Sequence, residues 1–261
     1  MATAMQRSAW ILPLAPSPQT RLRLFCLPYA GGGAAIFHKW RGSLPADVEL
    51  LPIQLPGRES RWKEPAYTAI KPLVQSLAEA LRPYCDLPFA FFGHSMGALI
   101  SFELIRELRR AYGVTPLHLF VSAHRAPQLP DHEPAFYHLP EPAFVEKIRQ
   151  LNGTPDEILQ NAELMALMLP TLRADFTLCD TYTYAAEPPL ACPITAFGGV
   201  HDTLAYREQL LAWREQTCAA FKLRMLPGGH FFIHSARVQL LWFLEQELRQ
   251  ITDRLHGENR M

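Results

Sequence analysis

Apolar residues along this chain follow two patterns that alternate from one end to the other. Short apolar runs bounded by proline or glycine are typical of buried strands, and the segments between them repeat apolar residues every three or four positions, as helices do. We predict strands at 21–27, 48–55, 87–92, 117–122, 194–197 and 221–226, and helices at 35–44, 70–84, 98–110, 142–151, 156–169, 204–217 and 236–255. The predicted fold class is therefore α/β.

Strands that alternate with helices form a mostly parallel, doubly wound sheet with helices on both faces. The pattern changes between 125 and 189, where prolines, acidic residues and short amphipathic helices replace strands. We interpret this stretch as a helical lid inserted into a single domain that spans 1–261. Such a lid is expected to cover the strand ends, where ligands bind in sheets of this kind.

Composition narrows the class of protein further. Of the 261 residues, 49% are hydrophobic and 19% are charged, and the formal net charge of zero disfavours the positive field of a nucleic-acid binder. The five cysteines are scattered without a C-x-x-C pair, so we expect no disulfide framework, no zinc site and a cytoplasmic location. Prolines interrupt the apolar start of the chain and no later run approaches a membrane-spanning length, so we expect neither export nor a membrane partner.

The eight residues 91–98, F-F-G-H-S-M-G-A, place Ser95 between Gly93 and Gly97 directly after an apolar run. This G-x-S-x-G spacing is typical of a sharp strand-to-helix turn that presents a nucleophile in strained backbone geometry. Bulky side chains two residues either side of the serine would collide with the turn. Because a helical pattern follows at once, we predict that Ser95 is a nucleophile; the alternative is a glycine-containing turn with an incidental serine.

A serine hydroxyl needs a base to take its proton and a carboxylate to orient that base. His230 follows the last predicted strand and a P-G-G loop, and Asp202 follows the preceding strand and a G-G-V-H turn, which is the chain order expected after such a serine. We predict that His230 is the base and Asp202 its partner. His234, where a helix begins, is expected to pack or cap, and Asp175 and Asp180 in the lid are expected to be solvated or structural acids.

Acyl transfer through a tetrahedral intermediate also needs two N–H donors for the oxyanion. We assign these donors to the backbone of Met96, directly after the serine, and of Ala30, in the glycine loop after the first strand. Glycines at 31–33 would let the backbone approach a substrate closely. The same run could cradle a phosphate, but it lacks both the G-x-G-x-x-G spacing and the lysine of a P-loop. This chemistry requires no metal and no cofactor.

Together these motifs resemble the type II, or external, thioesterases that accompany nonribosomal peptide and polyketide synthases, a family within the α/β-hydrolase superfamily. The matching segments span nearly the whole chain: 25–32 (F-C-L-P-Y-A-G-G), 55–61 (L-P-G-R-E-S-R), 93–97 (G-H-S-M-G), 169–175 (L-P-T-L-R-A-D), 198–202 (G-G-V-H-D) and 227–232 (P-G-G-H-F-F). All α/β-hydrolases share the serine turn. The glycine loop, the L-P-G-R-E run and the L-R-A-D segment are more specific.

The resemblance implies hydrolysis of acyl or aminoacyl thioesters from the phosphopantetheine arm of an acyl or peptidyl carrier protein, which removes stalled or misprimed groups. We expect a monomer, with pantetheine arriving on the substrate. Two positions depart from the family: Tyr29 stands where histidine is common, and His201 stands where an acidic residue is frequent. Tyr29 is expected to alter the pocket beside the oxyanion donors, so the resemblance does not specify an acyl group.

Two other functions stay open at this point. A carboxylesterase or acyl-CoA thioesterase would use the same three residues on a free small molecule, and a non-catalytic relative would only bind a carrier domain. In the L-P-G-R-E run, we expect Arg58 and Glu59 to pair with each other across a turn. The less favoured interpretation is that Arg58, Arg61 and Lys63 receive an acidic carrier protein.

Overall fold

The computed structural model describes residues 8–12, 19–131, 133–153 and 156–258, so the proline-rich residues 13–18 lie outside the description. Within the described residues, six strands form one sheet: β1 (Leu22–Leu27), β2 (Val48–Pro52), β3 (Phe89–His94), β4 (His118–Ser122), β5 (Ile194–Gly199) and β6 (Phe221–Leu226). Their order is β2-β1-β3-β4-β5-β6, and all neighbouring strands are parallel. The parallel sheet predicted from the sequence is confirmed.

Helices connect these strands. The α-helices in the described ranges are α1 (Ile70–Leu81), α2 (Met96–Tyr112), α3 (Glu141–Gln150), α4 (Asp156–Leu159), α5 (Ala162–Asp180), α6 (Arg207–Leu211), α7 (Phe232–Ser235) and α8 (Arg237–Glu258). Short 3-10 helices cover Ala34–Trp40, Glu59–Arg61, Arg82–Tyr84 and Ala212–Gln216. None of the helices in these ranges is long and apolar enough to cross a membrane.

Helices cover both faces of the sheet because consecutive strand residues point to opposite sides. Phe91 of β3 belongs to a buried cluster with Leu77 of α1 and Leu104 of α2. Its neighbour Phe92 belongs to a second buried cluster, which includes Leu244 of α8. The sheet is therefore the middle layer of a doubly wound fold, as the alternation of strands and helices predicts.

Between β4 and β5 the chain forms α3, α4 and α5, which pack around a third apolar cluster consisting of Phe144, Ile148, Leu159, Met165, Leu169 and Leu172. The helix predicted at 156–169 is wrong in extent. The side chain of Asn161 accepts hydrogen bonds from the amides of Glu163 and Leu164, both at 3.1 Å, and so starts a new helix after α4. That helix, α5, continues through Pro170 to Asp180.

A buried ion pair joins α5 to the turn after β2. Nη1 and Nη2 of Arg58 each donate to a carboxylate oxygen of Asp175 at 2.7 Å, and the two side chains are 7% and 3% exposed. The pairing predicted between Arg58 and Glu59 is therefore wrong: Glu59 instead accepts from the amide of Ala35 at 3.1 Å. The planar guanidinium prefers a partner that it can bind with both nitrogens, and α5 supplies one.

This ion pair also positions the glycine loop after β1. The amide of Gly31 donates to Asp175 Oδ2 at 2.7 Å, and Arg58 donates to the carbonyl of Gly32 at 3.1 Å. Asp175 is thus a structural acid rather than a solvated one. Arg61 is also buried and donates to Gln54 and Glu64, so Arg58 and Arg61 are not available to a carrier protein.

We predict that Asp175→Asn lowers the free energy of unfolding by about 3–5 kcal/mol, because it leaves the Arg58 charge buried without its partner. Urea denaturation at neutral pH measures this change. The matched control is Glu146→Gln, which removes an exposed ion pair with Arg149 on α3 and should cost less than about 1 kcal/mol. Equal effects of the two substitutions would contradict the structural role of Asp175.

Buried histidines make the stability of the fold depend on pH. Burial lowers the pKa of His118, which lies in β4 and contacts Thr195 Oγ1 at 2.9 Å, to about 3. Below the ordinary histidine pKa of about 6.5, the unfolded chain therefore binds a proton that the folded chain does not bind until about pH 3. The contribution of His118 is complete above that ordinary pKa and is lost as the pH falls.

We expect the free energy of unfolding to fall by up to about 1.4 kcal/mol per pH unit for each such histidine between pH 6 and 4. His118→Gln should reduce this slope by one proton, as read from urea titrations across that range. His38→Gln, at an exposed position, is the control and should leave the slope unchanged. A slope unaffected by His118→Gln would contradict the assignment.

Candidate active site

Ser95 occupies a sharp turn between β3 and α2, with a positive φ of 53°. Glycines on either side are required by close contacts: a Cβ on Gly93 would lie 2.1 Å from the carbonyl oxygen of Gly97, and one on Gly97 would lie 2.3 Å from the carbonyl oxygen of Leu27. The Ser95 amide donates to the carbonyl of Ser122 at 2.7 Å. The turn is therefore held from both neighbouring strands, β1 and β4.

The three residues predicted to act together lie in hydrogen-bond contact. His230 Nε2 lies 2.9 Å from Ser95 Oγ, and its Nδ1 lies 3.0 Å from Asp202 Oδ2 and 3.2 Å from Oδ1. The carboxylate is buried, and its Oδ1 also accepts from the amides of Leu204 and Ala205. When Nδ1 of His230 carries the proton and donates it in a hydrogen bond to Asp202, Nε2 is free to accept a hydrogen bond from the Ser95 hydroxyl.

Two glycine turns bring Asp202 and His230 together, one after β5 and one after β6. A Cβ on Gly199 would lie 2.5 Å from the carbonyl oxygen of Gly229, and the amide of His201 donates to the carbonyl of Gly228 at 2.9 Å. Because β5 and β6 are adjacent parallel strands, their carboxyl ends meet at the same edge. The close contact between the two turns thus explains why Asp202 and His230 each follow glycines.

The predicted oxyanion donors border the same cavity as the serine. Ala30 and Met96 line a cavity of about 410 Å³ together with Ser95 and His230. Met96 is the first residue of α2, where the amide has no partner within the helix, and the neighbouring Gly31 is fixed by Asp175. The backbone of Ala30 and of Met96 therefore borders the same cavity as Ser95. Their role as oxyanion donors stays a prediction.

His94, between Gly93 and Ser95, is a site residue at a position that the G-x-S-x-G motif leaves unspecified. Its ring is fully buried, with Nδ1 2.8 Å from Ser122 Oγ and Nε2 3.0 Å from the carbonyl of His230. Burial, followed by the nearby His230, lowers the pKa of His94 well below its usual range. Neutral His94 therefore donates from Nε2 to the carbonyl and accepts the Ser122 hydroxyl at Nδ1. A histidine ending a wholly apolar strand is the signal that could have revealed it.

His234 does not approach the serine. Its Nε2 lies 2.9 Å from the hydroxyl of Tyr29, and the two rings meet edge to face with centroids 5.7 Å apart. Tyr29, the departure from the resembled family, lines the cavity and also packs against Phe231. The prediction that His234 packs rather than acts as the base is consistent with this geometry.

The segment between β4 and β5 forms the far wall of the cavity. Phe136, Leu151 and Phe176 supply apolar surface, and Asp180 supplies a half-buried carboxylate. That carboxylate accepts from the amide of Phe136 at 3.0 Å, and burial raises its pKa. Asp180 is therefore a structural acid that borders the chamber. Within the described residues no cluster of histidine, cysteine or acidic side chains is arranged to hold a metal ion.

Comparison with known proteins identifies the family. A family model described as the thioesterase domain matches residues 22–248. The chain belongs to the thioesterase family. The gramicidin S biosynthesis protein GrsT of Aneurinibacillus migulanus is 45% identical over 251 residues, which cover 96% of this chain and 98% of the relative. The linear gramicidin dehydrogenase LgrE of Brevibacillus parabrevis is 47% identical over 253 residues, or 95% of each chain.

A solved structure supports the same placement. The type II thioesterase BorB from the borrelidin biosynthetic cluster has a TM-score of 0.84 and 34% identity, covering 93% of this chain and 99% of BorB. The name of LgrE refers to a dehydrogenase, but the run at 31–33 lacks the G-x-G-x-x-G spacing of a dinucleotide-binding turn. The predicted family, the α/β-hydrolase fold and thioester hydrolysis are confirmed, and the chain is a thioesterase related to those of peptide and polyketide pathways.

We predict that His94→Ala lowers kcat about 10- to 100-fold with little change in KM. The carbonyl of His230 loses the hydrogen bond from His94 Nε2, and the imidazole of His230 then shifts relative to Ser95. Steady-state hydrolysis of a small thioester measures both constants. His94→Gln, whose amide can both donate and accept, should restore part of the activity. An unchanged kcat in a folded His94→Ala protein would show that His94 does not position the base.

Proposed function

We propose that this protein removes acyl and aminoacyl groups from phosphopantetheine arms of carrier domains, with Ser95 as nucleophile, His230 as base and Asp202 as the orienting acid. The observation that supports this assignment is the continuous set of contacts from Asp202 through His230 to Ser95, at 3.0 and 2.9 Å, with Ser95 and His230 lining the chamber. The relation to GrsT and BorB, both from biosynthetic pathways, supports a carrier-bound substrate.

The reaction proceeds in two similar halves. His230 takes the Ser95 proton as the hydroxyl oxygen attacks the thioester carbonyl, and the Ala30 and Met96 amides stabilise the negative oxygen that forms. When the intermediate collapses, the carbon–sulfur bond breaks and His230 gives its proton to the departing thiolate. Water then attacks the acyl-serine ester with the same base, which releases the acid and restores the serine. Asp202 stays ionised and stabilises the charged imidazole.

The segment 125–189 acts as a lid in this proposal, within the single domain predicted for 1–261. It has an apolar cluster of its own, it supplies the far wall of the chamber, and Asp175 ties α5 to the glycine loop. A wall of this kind gives the acyl group an apolar surface to contact. One chain supplies every group that the mechanism uses, so the mechanism requires no second copy, and the monomer stays a prediction.

Ser95→Ala is expected to lower kcat at least about 10³-fold on an acyl-loaded carrier protein, and Asp202→Asn about 10³- to 10⁴-fold, because the base loses its orientation. Mass spectrometry of the carrier protein follows the loss of the acyl group. The matched comparison uses the same acyl group on coenzyme A.

The outcomes separate the alternative functions. Equal hydrolysis by Ser95→Ala and native protein would overturn the serine mechanism. A strong preference of the native protein for acyl-coenzyme A would favour a free thioester as substrate and overturn the carrier assignment. Binding of the carrier protein with no turnover by the native protein would indicate a non-catalytic binding protein.

A further inference from the structure

Two stretches of the chain contain no aspartate or glutamate, residues 24–46 and 216–244. They meet in the fold, because Phe37 and Trp40 of the first stretch share a buried cluster with Phe232 and Leu240 of the second. The bond between the Tyr29 hydroxyl and His234 also joins them. The chain as a whole has no net charge, but at this junction the basic residues have no aspartate or glutamate near them in the sequence.

Three basic side chains at the junction form what we call the basic rim: Lys39, His234 and Arg237. Lys39 and His234 are exposed and Arg237 is partly exposed. Within the described part of the chain, none of the three pairs with a carboxylate, although most arginines elsewhere in the fold do. Partial burial, then the charges of Arg237 and Lys39, lower the pKa of His234, which indicates a positive potential at this point.

The basic rim lies at the outer end of a row of rings that leads to the base. His234 meets Tyr29 at 5.7 Å between ring centroids, Tyr29 meets His94 at 5.8 Å, and His94 meets His230 at 5.6 Å. Tyr29 itself lines the chamber, whereas His234 reaches the surface. His234 of the rim is therefore three ring contacts away from His230, and none of the three rim residues lines the chamber.

We propose that the basic rim receives the acidic surface of a carrier domain around the phosphodiester that links its arm, an inference that rests on the proposed function. A carrier-bound acyl group reaches Ser95 only if the carrier brings this phosphodiester and its surroundings to the mouth of the chamber. Lys39 and Arg237, which have no carboxylate partner among the described residues, would attract that surface and align the arm with the opening.

Other basic residues fit this role less well. Arg58 and Arg61 are buried and bonded within the fold. Arg125, which lines the cavity, is paired with Asp131 at 2.9 Å. Lys147 also borders the cavity and is exposed, but α3 carries Glu141 and Glu146 as well as Lys147 and Arg149, so the net charge of the helix is zero. The basic rim therefore offers the strongest attraction for an anionic partner near the opening.

The test uses the double variant Lys39→Glu/Arg237→Glu in the full chain. We expect kcat/KM for an acyl-carrier protein to fall about tenfold or more relative to kcat/KM for the same acyl group on N-acetylcysteamine, mainly through KM. N-acetylcysteamine has neither phosphate nor protein, so the ratio of the two values isolates docking from chemistry. The difference should shrink as salt rises from about 0.05 to 0.5 M, because salt screens exposed charges.

The matched control is Lys71→Glu, which reverses an exposed charge on α1 that has no ion pair among the described residues, and it should leave the ratio unchanged. Lys147→Glu tests an approach across the lid instead. Acyl-coenzyme A, which has phosphate but no carrier domain, shows how much of the effect belongs to the phosphate alone. An effect equally large with acyl-coenzyme A would mean that the rim recognises phosphate rather than a carrier surface and would overturn the proposal.

Two further results would also overturn it: an unchanged ratio in the double variant, or a larger loss in Lys147→Glu than in the double variant. Failure of the docking proposal is distinguishable from failure of the proposed function. If Ser95→Ala still abolishes hydrolysis of the acyl-carrier while the charge variants do not change KM, only the docking surface is wrong. If Ser95→Ala retains activity, the mechanism itself is wrong.

Discussion

The arrangement of this protein depends on one buried carboxylate. Asp175, on helix α5, binds Arg58 through both carboxylate oxygens and accepts a hydrogen bond from the amide of Gly31. It thereby holds together the helical segment after β4, the turn after β2 and the glycine loop after β1. Because an unpaired buried charge costs several kcal/mol, these three segments have one arrangement in which all the groups are satisfied. The backbone beside Ser95 is placed by an interaction outside the catalytic set.

A second constraint comes from close backbone contacts. The turn around Ser95 lies so near the end of β1 that only glycine fits at position 97, and the turns after β5 and β6 touch at Gly199 and Gly229. Glycine costs conformational entropy, so its use at these contacts is explained by what it permits. The carboxyl ends of β3, β5 and β6 can then bring Ser95, Asp202 and His230 within hydrogen-bond distance.

The surroundings of His230 place a neutral histidine beside it and the cationic side chains farther out. His94 is buried and neutral, so it can hold the His230 backbone without adding a positive charge beside the imidazole that must accept a proton. Farther out, the positive charges lie on the surface beside Tyr29 and His234. This separation keeps electrostatic attraction for an anionic partner away from the proton transfer, where a fixed cation would oppose protonation of His230.

Local patterns in the sequence were sufficient to predict the strands and the glycine turns and to select Ser95, Asp202 and His230, which the fold brings into contact, because each of these depends on periodicity or on spacing within a few residues. They were not sufficient for the partner of Arg58, which lies 117 residues away and was assigned to its neighbour Glu59, nor for the second contact of His94, 136 residues away. The extent of α5 was also missed, since a proline that normally ends a helix lies within it. Sequence alone determined which residues could carry the chemistry. Tertiary structure decided which charges are buried, which are paired and which face solvent, because burial and pairing depend on residues that only the folded chain brings together.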